Sequence, residues 1–598
     1  MQHNKVEDAR RLIENLGQKE RTSLSRGRNR HGHAPLFVAA QLGHVEFVNF
    51  LLEECYAKIG RYYWRTEMTP LLHWAVDAGN FVLVRTLVQH GADINVVFDQ
   101  QTPVHAACDK CNIAVVRFLI ENGADIHCPD TFGTTCLMKS VDSVELCRFL
   151  IEQGASVNAV NKDGNTALHS AIVEYPSGSL DTVRLLLEHG IDMSLGNDVL
   201  LHAARCCRAD ILEYLIEKMQ PPARRRADMY SFIGAELVNG EYGDTAQIND
   251  AMKFWWKSAN IKTCELTADS ATDACISPNS AYNYAVEFHD IDSLAKIAGD
   301  KDAVFMQALV IRERILGPRH PDTIERLVGY AEDYFLPFRM HTFQRGFDLL
   351  RYAYQVSHDY IAIRTLVRFF KQHSTNIPFR YVFEALSMMV AEVSKMATDA
   401  EDVAEIAKAH ECCIYFIDLL HRLMSTETDV SAVMQLVRAL VETKSRTQIG
   451  STLLHRAVSL NTNFLNIFDT LFSTREDICM SGSAIVECLL TAGAAVNVTD
   501  VKRNTPLHVA LLSEPYDVFV EEYNDWLKVI RLLIRFGAHL DMRNAWRQVA
   551  AKMLPSAVTV DVFSQVSLQC LAARAVRVHK VPYRDIVPSV LVDFIDCH

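Results

Sequence analysis

The sequence predicts an all-α protein: a solenoid of stacked helical repeats, a helical middle, a second short block of the same repeats and a helical tail. Three observations predict it. A short motif recurs at nearly constant spacing through the first third of the 598-residue chain. The motif returns near residue 451. The residues between the two blocks carry apolar positions at helical rather than strand-like spacing.

The stretches APLFVAAQLGH (34–44), PLLHWAVDAGN (70–80), TPVHAACDKCN (102–112), TCLMKSV (135–141), TALHSAI (166–172) and VLLHAAR (199–205) vary one theme. Aligned on the small residue after the His-like position, they place Ala39, Ala75, Ala107, Ser140, Ala171 and Ala204 at gaps of 36, 32, 33, 31 and 33 residues. A second marker follows as HGADIN (90–95), NGADIH (122–127) and QGASVN (153–158). This is the ankyrin-repeat pattern, and its parts have physical reasons. Thr-Pro opens a first helix, where the missing proline N–H costs little. The small residue lets paired helices approach closely. An apolar second helix such as VVRFLIENG (115–123) buries one face against the next repeat, and Gly ends it in a left-handed turn. Such units are satisfied only by stacking, so residues 1–220 are expected to form a curved ankyrin solenoid.

Three irregularities stand out. The first gap is long and carries RYYWRTE (61–67), the fourth repeat is short around Val141–Val144, and the fifth is extended by EYPSGSL (174–180). Insertions in repeats map to loops on one face, often the binding face. STLLHRAV (451–458) and NTPLHVAL (504–511), closed by AGAAVNVTD (492–500) and FGAHLDMRN (536–544), define a second ankyrin block over 446–555, with a degenerate last unit at Ala545–Leu554. Residues 221–445 lack the motif and read as helices, among them AMKFWWKSANI, FMQALVIRERIL, HTFQRGFDLLRYAYQV, YVFEALSMMVAEVSKM and ECCIYFIDLLHRLM. Antiparallel pairs of tetratricopeptide type are expected there, with PPARRR (221–226) as the boundary. That middle could pair two chains into a homodimer, although no heptad run demands it.

Composition bounds the function. The chain is 49% apolar and 22% charged with a formal charge of −13. That is ordinary for a globular protein and argues against general nucleic-acid binding, which needs a basic surface. The N-terminus MQHNKVEDARR lacks the apolar core of a signal peptide. No apolar run reaches the roughly 18 residues of a membrane span. The 16 Cys are scattered, several within apolar helical patterns, as at Cys147 and Cys488. Such usage suits buried thiols in a reducing compartment, so the cytoplasm or the nucleus is expected.

Catalytic signatures are missing: the sequence carries no P-loop, GxSxG or HExxH, so no catalytic residue is assigned. HAACDKC offers His105, Cys108 and Cys111, with His127 and Cys128 following. Zinc needs four converging ligands, whereas Cys111 holds the usual Gly turn position and His105 is the repeat histidine. Neither a metal nor another cofactor is expected. The CC pairs at 206–207 and 412–413 fit helix packing, and RRR (224–226) and RTSLSRGRNR (21–30) fit solvated linkers.

The order of six ankyrin repeats, helical middle, ankyrin return and CLAARAV tail resembles the feminisation (Fem) family over nearly the whole chain. The pieces that carry the resemblance are MQALVIRERILGPRHPDT (306–323), TLLHRAV with LNT soon after (452–463), and SLQCLAARAVR (567–577). The resemblance implies a non-catalytic substrate receptor of a cullin–RING ubiquitin ligase. Such a receptor holds elongin B/C and a cullin with its RING subunit through a C-terminal VHL box, here 560–598. Its N-terminal ankyrin groove binds substrate proteins by C-terminal degrons, often ending in Arg, and so promotes their ubiquitination and proteasomal degradation. The founding nematode member implies a role in sex determination. The rival reading is an ankyrin scaffold or adaptor outside any ligase.

The tail also reads on its own terms. On a helix, Leu568, Leu571, Ala572, Ala575 and Val576 fall at i, i+3, i+4, i+7 and i+8, one apolar stripe. Cys570 and Ala573 widen it with small side chains. By pattern alone this stripe could pack on the last ankyrin unit. The resemblance instead implies an elongin-binding surface of Leu568, Cys570, Leu571, Ala572 and Ala575, with Leu568 as the inserted anchor. Elongin boxes usually place Cys four residues after Leu; here Cys570 comes two after, and Ala572 takes the fourth place. VPSVL (587–591) fits the apolar-Pro-x-x-apolar cullin pattern, with Pro588 presenting Val587, Val590 and Leu591.

Ankyrin solenoids bind through the concave side, made of hairpin tips and first helices. Candidate contacts are His73, Trp74, His105, Cys108, Asp109, Lys110, Met138, Lys139 and His169, with Tyr62, Tyr63 and Trp64 as an aromatic wall. His73, His105, His169 and His202 have a structural reading too: hydrogen bonds that cap and link neighbouring repeats. The family reads a C-terminal Arg with acidic side chains in two places. One is a Phe-Asp-Gly loop, replaced here by AKIGRYYWRTEM (57–68) without Asp. The other follows Ala-Ala-Cys-Phe; here Asp109 falls one residue early, and Lys110 stands where the family has Asp. A buried guanidinium needs a paired carboxylate, and a nearby Lys opposes it. Either Asp109 turns inward and restores the charge, or the pocket takes a different end group.

Overall fold

The computed structural model describes residues 2–555 except 30–32, 65–66, 174–179, 239–244, 267–278, 336–339, 358–360, 373–376, 398–402, 461–481 and 514–519, together with 558, 576 and 595. The protein is an all-α ankyrin solenoid with helical additions. Among the described residues, the strands are β1 (Arg61–Trp64) and β2 (Glu67–Pro70). No described helix is long and apolar enough to cross a membrane. The chain separates into two units, residues 1–277 with 285–315 and residues 278–284 with 316–598.

The first unit holds six helix pairs: Pro35–Gln41 with Val45–Glu53, Leu71–Asp77 with Phe81–Gln89, Pro103–Asp109 with Ile113–Glu121, Cys136–Lys139 with Val144–Glu152, Ala167–Val173 with Leu180–Glu188, and Val199–Arg205 with Ala209–Met219. The shortened fourth repeat keeps a first helix of only four residues. The second helices bury their apolar stripe: Val115, Val116 and Leu119 are fully buried, as are Leu146, Cys147 and Leu150. Each such Val or Leu stabilises the stack by about 1.5–3 kcal/mol relative to exposure. The turn between paired helices needs a left-handed residue. Gly43 and Gly79 supply it in the first two repeats, and Cys111 takes the same place with φ 50°.

Two polar devices tie repeats together, and both explain the sequence markers. The closing Asn of the first and third markers reaches into the next repeat: Asn95 Oδ1 accepts from Asp125 N–H at 3.0 Å, and Asn158 Oδ1 from Asp192 N–H at 2.8 Å. The fingers form a backbone ladder, with Lys162 N–H donating to Phe132 O at 2.9 Å and Asn197 N–H to Gly164 O at 2.8 Å. The insertion at 61–67 is more than a loop. β1 and β2 pair antiparallel, Arg61 opposite Pro70 and Trp64 opposite Glu67. Its run of Tyr62, Tyr63 and Trp64 against Thr69 has high β-propensity. The unit continues through helices Ala223–Leu237, Thr245–Glu265, Ile291–Ile297 and Lys301–Leu316. Trp255, fully buried, donates its indole N–H to Ser231 O at 2.9 Å and so locks the first two of these together.

The second unit begins with helices Pro321–Phe335, Met340–Ser357, Ile361–Gln372, Phe379–Met396, Val403–Leu423 and Glu427–Glu442. An aromatic cluster fills it: Phe335 stacks on Phe369 at 4.1 Å, and Tyr381 meets the edges of Phe343 and Phe347, each at 4.8 Å. The second ankyrin block follows, with helices Leu453–Leu460, Gly482–Thr491, Pro506–Leu512, Val520–Arg535 and Ala550–Met553. The marker asparagine recurs: Asn497 Oδ1 accepts from His539 N–H at 2.7 Å.

Candidate functional site

The Thr-x-x-His pattern at the start of several first helices, at 102–105, 166–169, 452–455 and 505–508, turns its histidine toward the next repeat rather than the groove. In the fifth repeat, His169 Nδ1 accepts from the Thr166 N–H at 3.1 Å, so the ring proton sits on Nε2, which donates to Asn197 O at 2.8 Å in the next repeat. His455 and His508 repeat the arrangement, bonding Asn504 O at 3.0 Å and Gln548 O at 3.3 Å. His73 Nε2 bonds Val96 O at 2.9 Å. Burial lowers the pKa of His169, His455 and His508, which favours the neutral ring this bonding needs.

His105 departs from the pattern. Its Nδ1 meets the Thr102 hydroxyl at 2.8 Å, but its buried Nε2 finds no hydrogen-bond partner. The ring acts instead on Cys136, which stands where other repeats have Pro. The Cys136 thiol is lowered to about 6, first by its bond with Cys108 and then by His105. Cys108 is pushed up correspondingly, chiefly by the same bond and by burial. No group of three His, Cys, Asp or Glu among the described residues is placed to hold a metal ion.

The candidate contacts therefore divide. His73, His105, Cys108 and Met138 are buried at 2% exposure or less and belong to the repeat core, not to an open groove. This corrects their assignment as peptide contacts: the first helix turns those positions inward, where His73 links to the next repeat and His105 lies against Cys136. Trp74 is half-buried, its ring edge-on to Phe37 at 5.9 Å. Tyr63 and Trp64 lie on β1, paired with Met68 and Glu67. Lys139 is tied to the fingers, 3.5 Å from Asp130 and 3.2 Å from Gln101 Oε1. Asp109 and Lys110 are exposed at the end of the third repeat's first helix and face each other at 3.9 Å.

Sequence reasoning passed over Asp77 and Asp99. Asp77 ends the first helix of repeat 2 and precedes its turn glycine as Asp109 precedes Cys111. Stacking brings these equivalent positions together. Asp77 is held above the ordinary carboxyl value mainly by lost hydration; His73 and Lys110 pull it down, and Asp109 and Asp99 push it up. Asp77 thus lies within electrostatic reach of Lys110 and of the Asp109 and Asp99 carboxylates. Equal spacing from the turn position was the available signal for Asp77. The expected elongin residues Leu568, Cys570, Leu571, Ala572 and Ala575, and the cullin residues Val587, Pro588, Val590 and Leu591, lie outside the described residues.

Stacked Thr-x-x-His helices, a finger ladder and a charged concave edge define an ankyrin-repeat protein. The ankyrin-repeat family models match residues 31–61, 60–130, 104–197 and 142–226. Protein fem-1 homolog A-like of Mus musculus is 29% identical over 98% of this chain and 97% of its own length. Protein fem-1 homolog C of Homo sapiens is 29% identical over 70% of this chain and 68% of its own. Protein fem-1 homolog A of Danio rerio is likewise 29% identical, over 67% and 66%. The chain is an ankyrin-repeat protein similar to the fem-1 homologues along nearly its whole length.

Proposed function

We propose that this chain is the substrate-recognition subunit of an elongin B/C-linked cullin–RING ubiquitin ligase, itself non-catalytic. The observation that carries the reading is the likeness to a fem-1 homologue over 98% of the chain, which takes in most of residues 560–598. One end would hold a substrate's C-terminus and the other the ligase, so that ubiquitin transfer becomes effectively intramolecular. The Asp77, Asp99 and Asp109 carboxylates support a groove that takes a cationic C-terminal residue despite Lys110. An exposed carboxylate–guanidinium contact contributes up to about 1 kcal/mol, and more as water is excluded.

Elongin B/C pull-down tests the ligase half. Wild type should retain elongin and Leu568→Glu should lose it; if wild type retains none, the scaffold reading stands in its place. A C-terminal peptide library tests the groove. Arg-ending peptides should be enriched, and Asp77→Asn with Asp109→Asn should weaken them about tenfold while Lys110→Ala strengthens them. Preference for uncharged or acidic ends would overturn the cationic assignment.

A further inference from the structure

The second ankyrin block presents a surface that this reading does not use. Its fingers, residues 447–452, 500–505 and 544–549, are joined edge to edge: Val501 N–H donates to Ile449 O at 3.0 Å, and Ala545 N–H to Lys502 O at 2.9 Å. At successive tips Ile449, Val501 and Trp546 are 58%, 72% and 56% exposed. One exposed apolar side chain needs no explanation; three on consecutive fingers form a patch of the kind that marks an interaction site.

The charge around that row is one-sided. Lys502, Arg503 and Arg547 lie on the fingers and Arg446 and Arg543 just before them, all exposed, in a chain whose net charge is −13. No exposed acid shares these fingers. Asp500 is turned to the backbone, accepting from Asn504 N–H at 2.7 Å. Lys502 Nζ lies 5.6 Å from the Trp546 ring centre.

Backbone geometry adds an independent sign. The finger corner two residues before the helix cap is left-handed. It is glycine at Gly133, Gly164, Gly196 and Gly450, glutamine at Gln100 (φ 67°), and arginine at both Arg503 (φ 60°) and Arg547 (φ 62°). A side chain there costs on the order of 1 kcal/mol that glycine would not. Two equivalent arginines held at that cost on neighbouring fingers point to a use for their guanidinium groups.

We propose that this ridge docks an extended acidic peptide segment of a partner protein. Its carboxylates would pair with Lys502, Arg503 and Arg547, and its large apolar side chains would rest on Ile449, Val501 and Trp546. Stacked helices lie about 8–10 Å apart, so three fingers span roughly 20 Å, the reach of about six extended residues. A single-stranded nucleic acid fits less well, because one indole between two aliphatic tips gives no succession of stacking platforms.

The test is a selection of random dodecapeptides displayed on phage against the full-length protein, followed by affinity measurement on the enriched peptides. Acid-rich sequences with interspersed Leu, Ile, Phe or Trp should be enriched. Lys502→Glu with Arg503→Asp and Arg547→Asp should weaken them at least tenfold, aspartate being tolerated at the left-handed corner. Trp546→Ala should weaken them several-fold, with binding falling as salt rises. The proposal is overturned if no such sequences are enriched, or if the variants bind them as wild type does. It is equally overturned if dT12 or phosphatidylserine vesicles bind the ridge in preference. The N-terminal groove variants should leave this binding unchanged, so either site can fail alone.

Discussion

Replacing His169 by Ala should cost far more than replacing His105 by Ala, although both rings are buried at equivalent positions of the fifth and third ankyrin units. His169 joins repeat 5 to repeat 6 through Asn197 O and accepts the Thr166 N–H. Removing it loses two hydrogen bonds worth about 1 kcal/mol each and leaves a void costing about 1 kcal/mol more, for a total of roughly 3 kcal/mol. His105 keeps one hydrogen bond, to the Thr102 hydroxyl, and its buried Nε2 has no hydrogen-bond partner, although the ring lies against the Cys136 thiol. Its removal forfeits one bond and a similar void but relieves the cost of an unsatisfied group, roughly 1–3 kcal/mol. The net is about 1 kcal/mol or less. Stability in repeat arrays is local, so the assay is native-state hydrogen exchange across residues 155–200 for His169→Ala and 103–150 for His105→Ala. A difference of about 2 kcal/mol appears as roughly a thirtyfold difference in protection. Equal losses, or a larger one at His105, would refute the argument that the Nε2-to-carbonyl bond carries the inter-repeat coupling.

Acid should destabilise the fold through its buried histidines. Burial lowers His410 and His202 to about 4, with Arg456 and His169 adding repulsion. The unfolded chain then binds more protons, so their contribution is intact above about pH 6.5 and is lost as pH falls from 6.5 toward 4. His410 accounts for at most about 3 kcal/mol, and urea titrations at pH 7 and 5 should show His410→Gln flattening the loss. Gly196→Ala should cost more than 2 kcal/mol, because a Cβ there would meet Gly164 O at 2.3 Å; Gly190→Ala, with the same φ of 78° and open space, should cost about 1 kcal/mol. Thermal melts distinguish the two. Arg312, 1% exposed and bonded to Glu236 at 2.8 Å, should cost about 3–5 kcal/mol as Arg312→Ala, while Arg312→Met with Glu236→Gln should recover much of it in urea unfolding.

Much of the fold was legible because ankyrin units encode themselves locally. Thr-Pro, the small residue, the turn glycine and the closing Asn each satisfy a requirement within one repeat or at its border with the next. Asn95, Asn158 and Asn497 were visible as spelling, and their role as staples follows from the geometry. The hairpin at 61–70 is not legible as more than a loop insertion, because a short aromatic run does not say whether it finds a partner strand. Periodicity does not tell groove from core at Met138 and Cys108, because helices of four and seven residues are too short to fix a face.

The sequence by itself determined the repeat period, the helix pairs and most of the linking histidines, since these rest on spacing along one chain. Tertiary structure decided what the surface offers. It set Asp77 beside Asp109 and Asp99, left His105 against Cys136 rather than a carbonyl, and lined up Ile449, Val501 and Trp546 under a fringe of arginines. The physical reason is that stacking joins residues some thirty to fifty positions apart, and the charge or exposure of such a group belongs to the stack rather than to any one repeat.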